Sequence, residues 1–291
     1  MKPAAMISCR FFPVAIIITA LAAPLACVRA YDEDLKIAYD RNTGVLNIEI
    51  FTMSEDASDI RQITRTEEGI NDRQAAWSPD GAAIVFVRDV GPFYEIWVMD
   101  HEGGDQRRLT AGFYDSAPTF SPDGRYISFW RSTVGVCVMR RDGSGLVNVA
   151  GPAYNAGSWL PTGHRIVYED GSGNNFSVRL DGSDSQPILA AAGEVRSPTW
   201  SPDGARIAYL RESSYFDLWV MDSSGGNQVT LVVAGVDVAD NCQTPSWSPD
   251  GSKIIFTVEG TGIYTIRPDG TGLTMILPGT FGQVSFQGKP R

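Results

Sequence analysis

Trp77-Ser-Pro-Asp-Gly81 recurs as Phe120-Ser-Pro-Asp-Gly124, Trp200-Ser-Pro-Asp-Gly204 and Trp247-Ser-Pro-Asp-Gly251, with Trp159-Leu-Pro-Thr-Gly163 as a worn copy. The aromatic residues stand 43, 39, 41 and 47 positions apart. Each copy has the chemistry of a tight turn, because Pro fixes φ at its second position and Gly accepts a left-handed conformation. A turn marked by an aromatic and repeated about every forty residues reads as one four-stranded blade of a propeller.

The surrounding sequence fits that unit. The aromatic ends a first strand. After the turn comes a β-branched and aromatic run, such as Ala83-Ile-Val-Phe-Val87 or Lys253-Ile-Ile-Phe-Thr257. A third strand follows, as in Glu95-Ile-Trp-Val-Met99 and Leu218-Trp-Val-Met221, and a Gly-rich hairpin such as Asp142-Gly-Ser-Gly145 leads to a fourth. Lys36-Ile-Ala-Tyr39 opens directly as a second strand, while Gln283-Val-Ser-Phe286 ends as a lone first strand, 39 residues after Trp247. The spacing predicts an all-β, six-bladed propeller with four antiparallel strands per blade. Its last blade is closed by the N-terminal strands plus the C-terminal one, which removes open sheet edges.

The W-S-P-D-G turn, the I-x-F strand after it, the I-W-V-M-D strand and the terminal Leu109-Thr110 together resemble the TolB-type β-propeller repeat of bacterial periplasmic proteins. The resemblance covers nearly the whole chain after residue 30. It implies work at the cell envelope as a non-catalytic scaffold, with an envelope lipoprotein or an extended peptide as partner. TolB itself carries a small α/β domain before its propeller, for which this sequence shows no room.

The first thirty residues read as a secretory signal. Lys2 and Arg10 precede an uncharged stretch whose apolar centre, Val14 to Ala23, is too short to span a bilayer. Val28-Arg29-Ala30 offers a cut before Tyr31, leaving 31–291 as one domain. Cleavage removes three basic residues and no acid, taking the net charge from −10 to −13. Such a balance disfavours nucleic acid as a partner. The expected location is periplasmic or secreted. In an alternative reading, Pro24-Leu-Ala-Cys27 is a lipid-attachment site. Cys137 and Cys242 fall on separate blades and are expected as buried free thiols, and the closed ring leads us to expect a monomer.

Catalytic patterns are sparse. His101 and His164 are isolated, and no G-x-S-x-G or phosphate loop occurs. No cofactor is expected, although Asp237, Asp240 and Asn241 offer oxygens for Ca²⁺. Function is expected on the rim opposite the two His, called here the top. Aligning the residues four and five before each aromatic gives Asp72, Arg73, Asp115, Tyr154, Asn155, Arg196 and Gln243 as a partner-binding set around the channel mouth. Tyr114, Tyr154, Phe281, Phe93-Tyr94 and Tyr215-Phe216 are candidate aromatic anchors. An enzyme acting on extracellular polysaccharide, as lyase or hydrolase, is the alternative, with Asp72 and Asp115 as its acids.

Overall fold

In β1 (Lys36–Asn42) and β2 (Ile48–Ser54) buried residues follow one another without alternation, as strands covered on both faces require. The structure, a computed structural model, describes residues 35–44, 47–151, 153–170, 172, 174–188 and 195–288, with backbone alone at 153–157. The expected signal segment and Cys27 lie outside the described residues.

With β3 (Arg61–Gln62) these strands open the chain. Blade 2 is β4 (Asn71–Trp77), β5 (Ala83–Val90), β6 (Phe93–Asp100) and β7 (Arg107–Arg108). Blade 3 is β8 (Asp115–Phe120), β9 (Tyr126–Arg131), β10 (Gly135–Arg140) and β11 (Val147–Ala150). Blade 4 is β12 (Ala153–Trp159), β13 (Arg165–Asp170), β14 (Asn175–Arg179) and β15 (Gln186–Pro187). Blade 5 is β16 (Val195–Trp200), β17 (Arg206–Glu212), β18 (Phe216–Asp222) and β19 (Val229–Val232). Blade 6 is β20 (Cys242–Trp247), β21 (Ile254–Val258), β22 (Gly262–Ile266) and β23 (Thr274–Pro278). Finally β24 (Phe281–Phe286) pairs antiparallel with β1, so blade 1 reads β24-β1-β2-β3. The six inner strands touch in the order β24, β4, β8, β12, β16, β20 and back to β24, and the ring is closed.

The repeated turn is held by a small polar network. In all four Ser-Pro-Asp-Gly copies the Ser hydroxyl donates to the Asp carboxylate at 2.5–2.6 Å. The same Ser oxygen accepts the amide five residues on, from Ala83, Tyr126, Arg206 and Lys253. In blade 4 both side chains are lost, yet Gly163 still donates to the Leu160 carbonyl at 2.8 Å. The backbone makes the turn, and the side chains reinforce it.

The hydrophobic core lies between blades. One cluster joins Val85, Val87 and Ile96 of blade 2 to Phe120, Ile127 and Phe129 of blade 3, and another joins blades 5 and 6 around Leu218, Trp247 and Phe256. Marker tryptophans stitch neighbours together: the Trp159 indole donates to the Thr119 carbonyl at 3.3 Å, and Trp247 to that of Thr199 at 3.0 Å. Cys137 and Cys242 are buried free thiols. Burial and then the Asp217 charge push the Cys242 thiol up to about 12, so it stays protonated and unreactive.

Each inner strand of blades 2, 3, 5 and 6 carries a bulge three residues before its aromatic. Gln74, Ala117, Ser197 and Thr244 all adopt positive φ, between 44° and 56°, where the pairing register slips. An extra residue there changes which side chains face the neighbouring blade and which face the channel.

Candidate functional site

The bulge divides the expected binding set in two. Position five before the aromatic points into the seam between blades: Asp72, Asp115 and Cys242 are 0% exposed, and Val195 and Phe281, at the same position of their own blades, are buried too. Position four, occupied by Arg73, Ser116, Arg196, Gln243 and Gly282, is partly open on the channel side.

Asp72 and Asp115 are therefore not rim groups, which corrects the surface placement expected from alignment. Arg88 donates to both oxygens of Asp72, at 2.7 Å each, and Arg131 to those of Asp115 at 2.7 and 2.8 Å. Bidentate pairs of this kind fix two adjacent strands and leave the carboxylates no open face. Burial still holds the Asp72 pKa above its usual value, with the Arg88 bonds only partly offsetting it. The Asp115 bonds raise the Arg131 pKa further. Phe281 is likewise buried, edge-on to Tyr39 at 5.3 Å. The acids on which a polysaccharide-cleaving mechanism depended are thus structural.

The remaining candidates gather at the channel mouth. Arg73 donates to Asp89 at 2.5 Å and lies over the Tyr94 ring at 4.9 Å. Arg196 stands 3.8 Å from Glu169 and 5.8 Å from the Phe216 ring centre. Gln243 donates to Glu259 at 3.4 Å. Asn155 pairs in register with Glu169, and its side chain and that of Tyr154 lie outside the described residues. Outside this ring Tyr114 meets Tyr94 edge-on at 5.4 Å and Phe93 at 6.2 Å, while Arg131 covers Phe113 at 4.0 Å. Phe93, Phe113, Tyr114 and Tyr215 remain 37–47% exposed.

The oxygens considered for Ca²⁺ serve the loop itself. Asp237 accepts the Val233 amide and Asp240 the Asn241 amide, while the Asn241 side-chain oxygen ties the loop to β18 by accepting the Phe216 amide. Among the described residues no group of three or more His, Cys, Asp or Glu is placed to hold a metal.

One channel residue was not picked out from sequence. Asp40, the single acid after Ile-Ala-Tyr in β1, is 5% exposed and accepts the Gln283 amide of β24 at 2.8 Å. The Gln74 amide of β4 and Arg73 act on the same carboxylate electrostatically, so Asp40 sits at the seam where the ring closes. It fits because residue 282 is Gly; a Cβ there would stand 2.0 Å from an Asp40 oxygen. Burial raises the Asp40 pKa to about 6, against the Gln283 and Gln74 amides and Arg73, which lower it. The native state then takes up this proton before the unfolded chain does, so stability falls as pH rises from about 4 to about 6. Asp40→Asn keeps an acceptor for an amide and removes the charge. Its expected effect is a gain of about 1–3 kcal/mol at pH 7.5 that vanishes near pH 4. Urea unfolding at the two pH values checks this; an equal effect at both would refute it.

A family model described as the TolB beta propeller domain matches residues 33–204. The chain belongs to the TolB β-propeller family. A TolB homolog of Chlorobium luteolum is 33% identical over 209 residues, covering 67% of this chain and 46% of that protein. An uncharacterised protein of Agrobacterium fabrum is 31% identical over 157 residues, covering 46% of this chain and 53% of its own. This TolB-family chain thus spans about half the length of the curated relatives it matches. Among solved structures, TolB from Acinetobacter baumannii superposes with a TM-score of 0.73 at 22% identity, over 87% of this chain and 66% of that one. An oligogalacturonate lyase in complex with manganese superposes at 0.52 and 15% identity, over 83% and 71%. At these identities the structural likenesses speak for the fold alone.

Proposed function

We propose that this TolB-family propeller is an exported, non-catalytic binding scaffold of the bacterial cell envelope that receives a protein or extended peptide at its top rim. The observation that carries the reading is the channel mouth. Arg73, Arg196 and Gln243 present partly open polar heads beside exposed aromatic rings, a mixture that suits recognition of a chain rather than bond cleavage. Tyr154 and Asn155 belong to the proposed surface by position, whereas Asp72 and Asp115 support it from beneath. Several relatives are Tol-Pal system TolB proteins, from Chromobacterium violaceum and Gluconobacter oxydans among others, which supports a periplasmic partner. Residues 1–30 are proposed as the export signal, with 31–291 acting as a monomer. Among the described residues no helix is long and apolar enough to cross a membrane.

Affinity capture from envelope extract, with mass spectrometry, tests the reading. We expect one enriched envelope protein, retained at least tenfold less by the Arg73→Ala/Arg196→Ala variant. Equal retention by wild type and variant would sink it.

A further inference from the structure

The sixfold ring conceals a twofold one. Among the six residues at position four, only Arg73 of blade 2 and Arg196 of blade 5 are cationic. Counting around the closed ring, these blades are three steps apart and face each other across the channel. Both guanidiniums lie over the aromatic at the start of the third strand, Tyr94 in one case and Phe216 in the other. Ahead of that aromatic stands a second, exposed one, Phe93 or Tyr215. The loop after the fourth strand adds an exposed apolar group, Tyr114 on one side and Val236, at 80% exposure, on the other. No other blade has an aromatic at either of the two third-strand positions.

The correspondence extends beneath the surface. Phe93-Tyr-Glu-Ile-Trp-Val-Met-Asp100 matches Tyr215-Phe-Asp-Leu-Trp-Val-Met-Asp222 residue for residue in type. The acid in each, Glu95 or Asp217, is buried. In the preceding blade, Asp40 and Glu169 hold the same place, three residues after the second-strand Ile that pairs with the marker aromatic. Asp40 lies in the field of Arg73, and Glu169 stands against Arg196. Two opposite walls of the channel mouth therefore carry a cation over a ring, with an acid and an exposed apolar group nearby, although Arg73 pairs with Asp89 of its own blade and Arg196 with Glu169 of the preceding one.

We propose that the top face holds two equivalent docking sites, one on blade 2 and one on blade 5, each taking a short partner segment with a carboxylate beside an apolar side chain. The chemistry follows from what each site offers. The Arg73 and Arg196 side chains stay 28% and 42% exposed beside Asp89 and Glu169, so the cationic surface that each turns to solvent can meet a carboxylate of the partner. The adjoining rings and loop supply the apolar contact. Two such sites suit a partner that presents the segment twice, as a repeat or as a twofold dimer, because the second engagement becomes intramolecular. The inference rests on the scaffold reading above and deepens it.

The test uses the full chain labelled with 3-fluorotyrosine, where Tyr94 and Tyr114 report on one site and Tyr215 on the other. The probe is an acetylated, amidated Leu-Asp-Leu peptide, alone or as two copies joined by a flexible Gly/Ser linker. Both groups of ¹⁹F signals are expected to shift, with two peptides bound per chain. Arg73→Ala should silence only the Tyr94 and Tyr114 response, and Arg196→Ala only that of Tyr215. The linked probe should bind roughly a hundredfold tighter, a gain that either single substitution removes. Binding of one peptide, a response on one wall, or no response at all overturns the proposal. If the protein captured from envelope extract is lost with Arg73→Ala but kept by Arg196→Ala, the scaffold reading stands and the twofold arrangement falls. Capture that survives the double change removes the scaffold reading itself.

Discussion

A chain stopped after Thr280 is expected to yield no folded monomer. β24 contributes Phe281, Val284 and Phe286, all at or below 8% exposure, to the core around Tyr39 and Ile37. Removing one buried Phe side chain costs about 3–5 kcal/mol. Losing two, together with Val284 and the β1–β24 ladder, approaches or exceeds the roughly 5–15 kcal/mol by which a whole domain is stable. The truncated protein would also expose the edge of β1, an invitation to pair with another chain. Size-exclusion chromatography with circular dichroism checks this. A truncated monomer that melts at the wild-type temperature would show that ring closure is dispensable. Phe286→Ala, a milder form of the same change, should lower stability by about 3 kcal/mol and keep the fold.

The second large effect is expected at the buried ion pairs. Asp115→Ala leaves the Arg131 guanidinium, 8% exposed, without the carboxylate that receives two of its N–H groups. Breaking such a pair from one side typically costs about 3–5 kcal/mol, because an uncompensated charge stays buried. Replacing both partners removes that charge. Asp115→Ala/Arg131→Met should therefore be more stable than Asp115→Ala alone by at least about 1 kcal/mol. Urea unfolding of the three proteins decides it. If the double variant is less stable than the single, packing of the Arg131 side chain over Phe113 and Phe129, not its charge, dominates the site.

The blade count and strand order could be read before any coordinates because the turn is chemically loud. Pro and Gly leave Trp77-Ser-Pro-Asp-Gly81 few alternative conformations, and the forty-residue period does the rest. The closing strand was legible for the same reason, since Phe286 stands on the repeat. The facing of side chains along the inner strand was less legible. Gln74, Ala117, Ser197 and Thr244 have no common chemistry, so nothing in the letters announces that each takes positive φ and shifts the register. Two clues were present all the same. Val195, Cys242 and Phe281 occupy the same position as Asp72 and Asp115, and such a mixture is typical of a buried site. Arg88 and Arg131 follow at one fixed spacing from those acids, as partners across a pair of strands would. Asp40 was hidden differently. Its setting depends on an amide and a glycine more than 240 residues away, which no local pattern records.

That distance has a consequence for the timing of folding. Bonds from Gln283 to Asp40 and from Ser285 to Ala75 join the last strand of the ring to its first ones. Until β24 emerges, blade 1 has no inner strand and β4 lacks one neighbour in the ring. Contacts of such long range are slow to form and leave a partly built sheet open while the chain waits. A polypeptide that is threaded unfolded through a membrane benefits from such an arrangement. If residues 1–30 direct export, as proposed above, the native ring cannot lock while the chain is in transit and completes itself only when β24 has arrived on the far side.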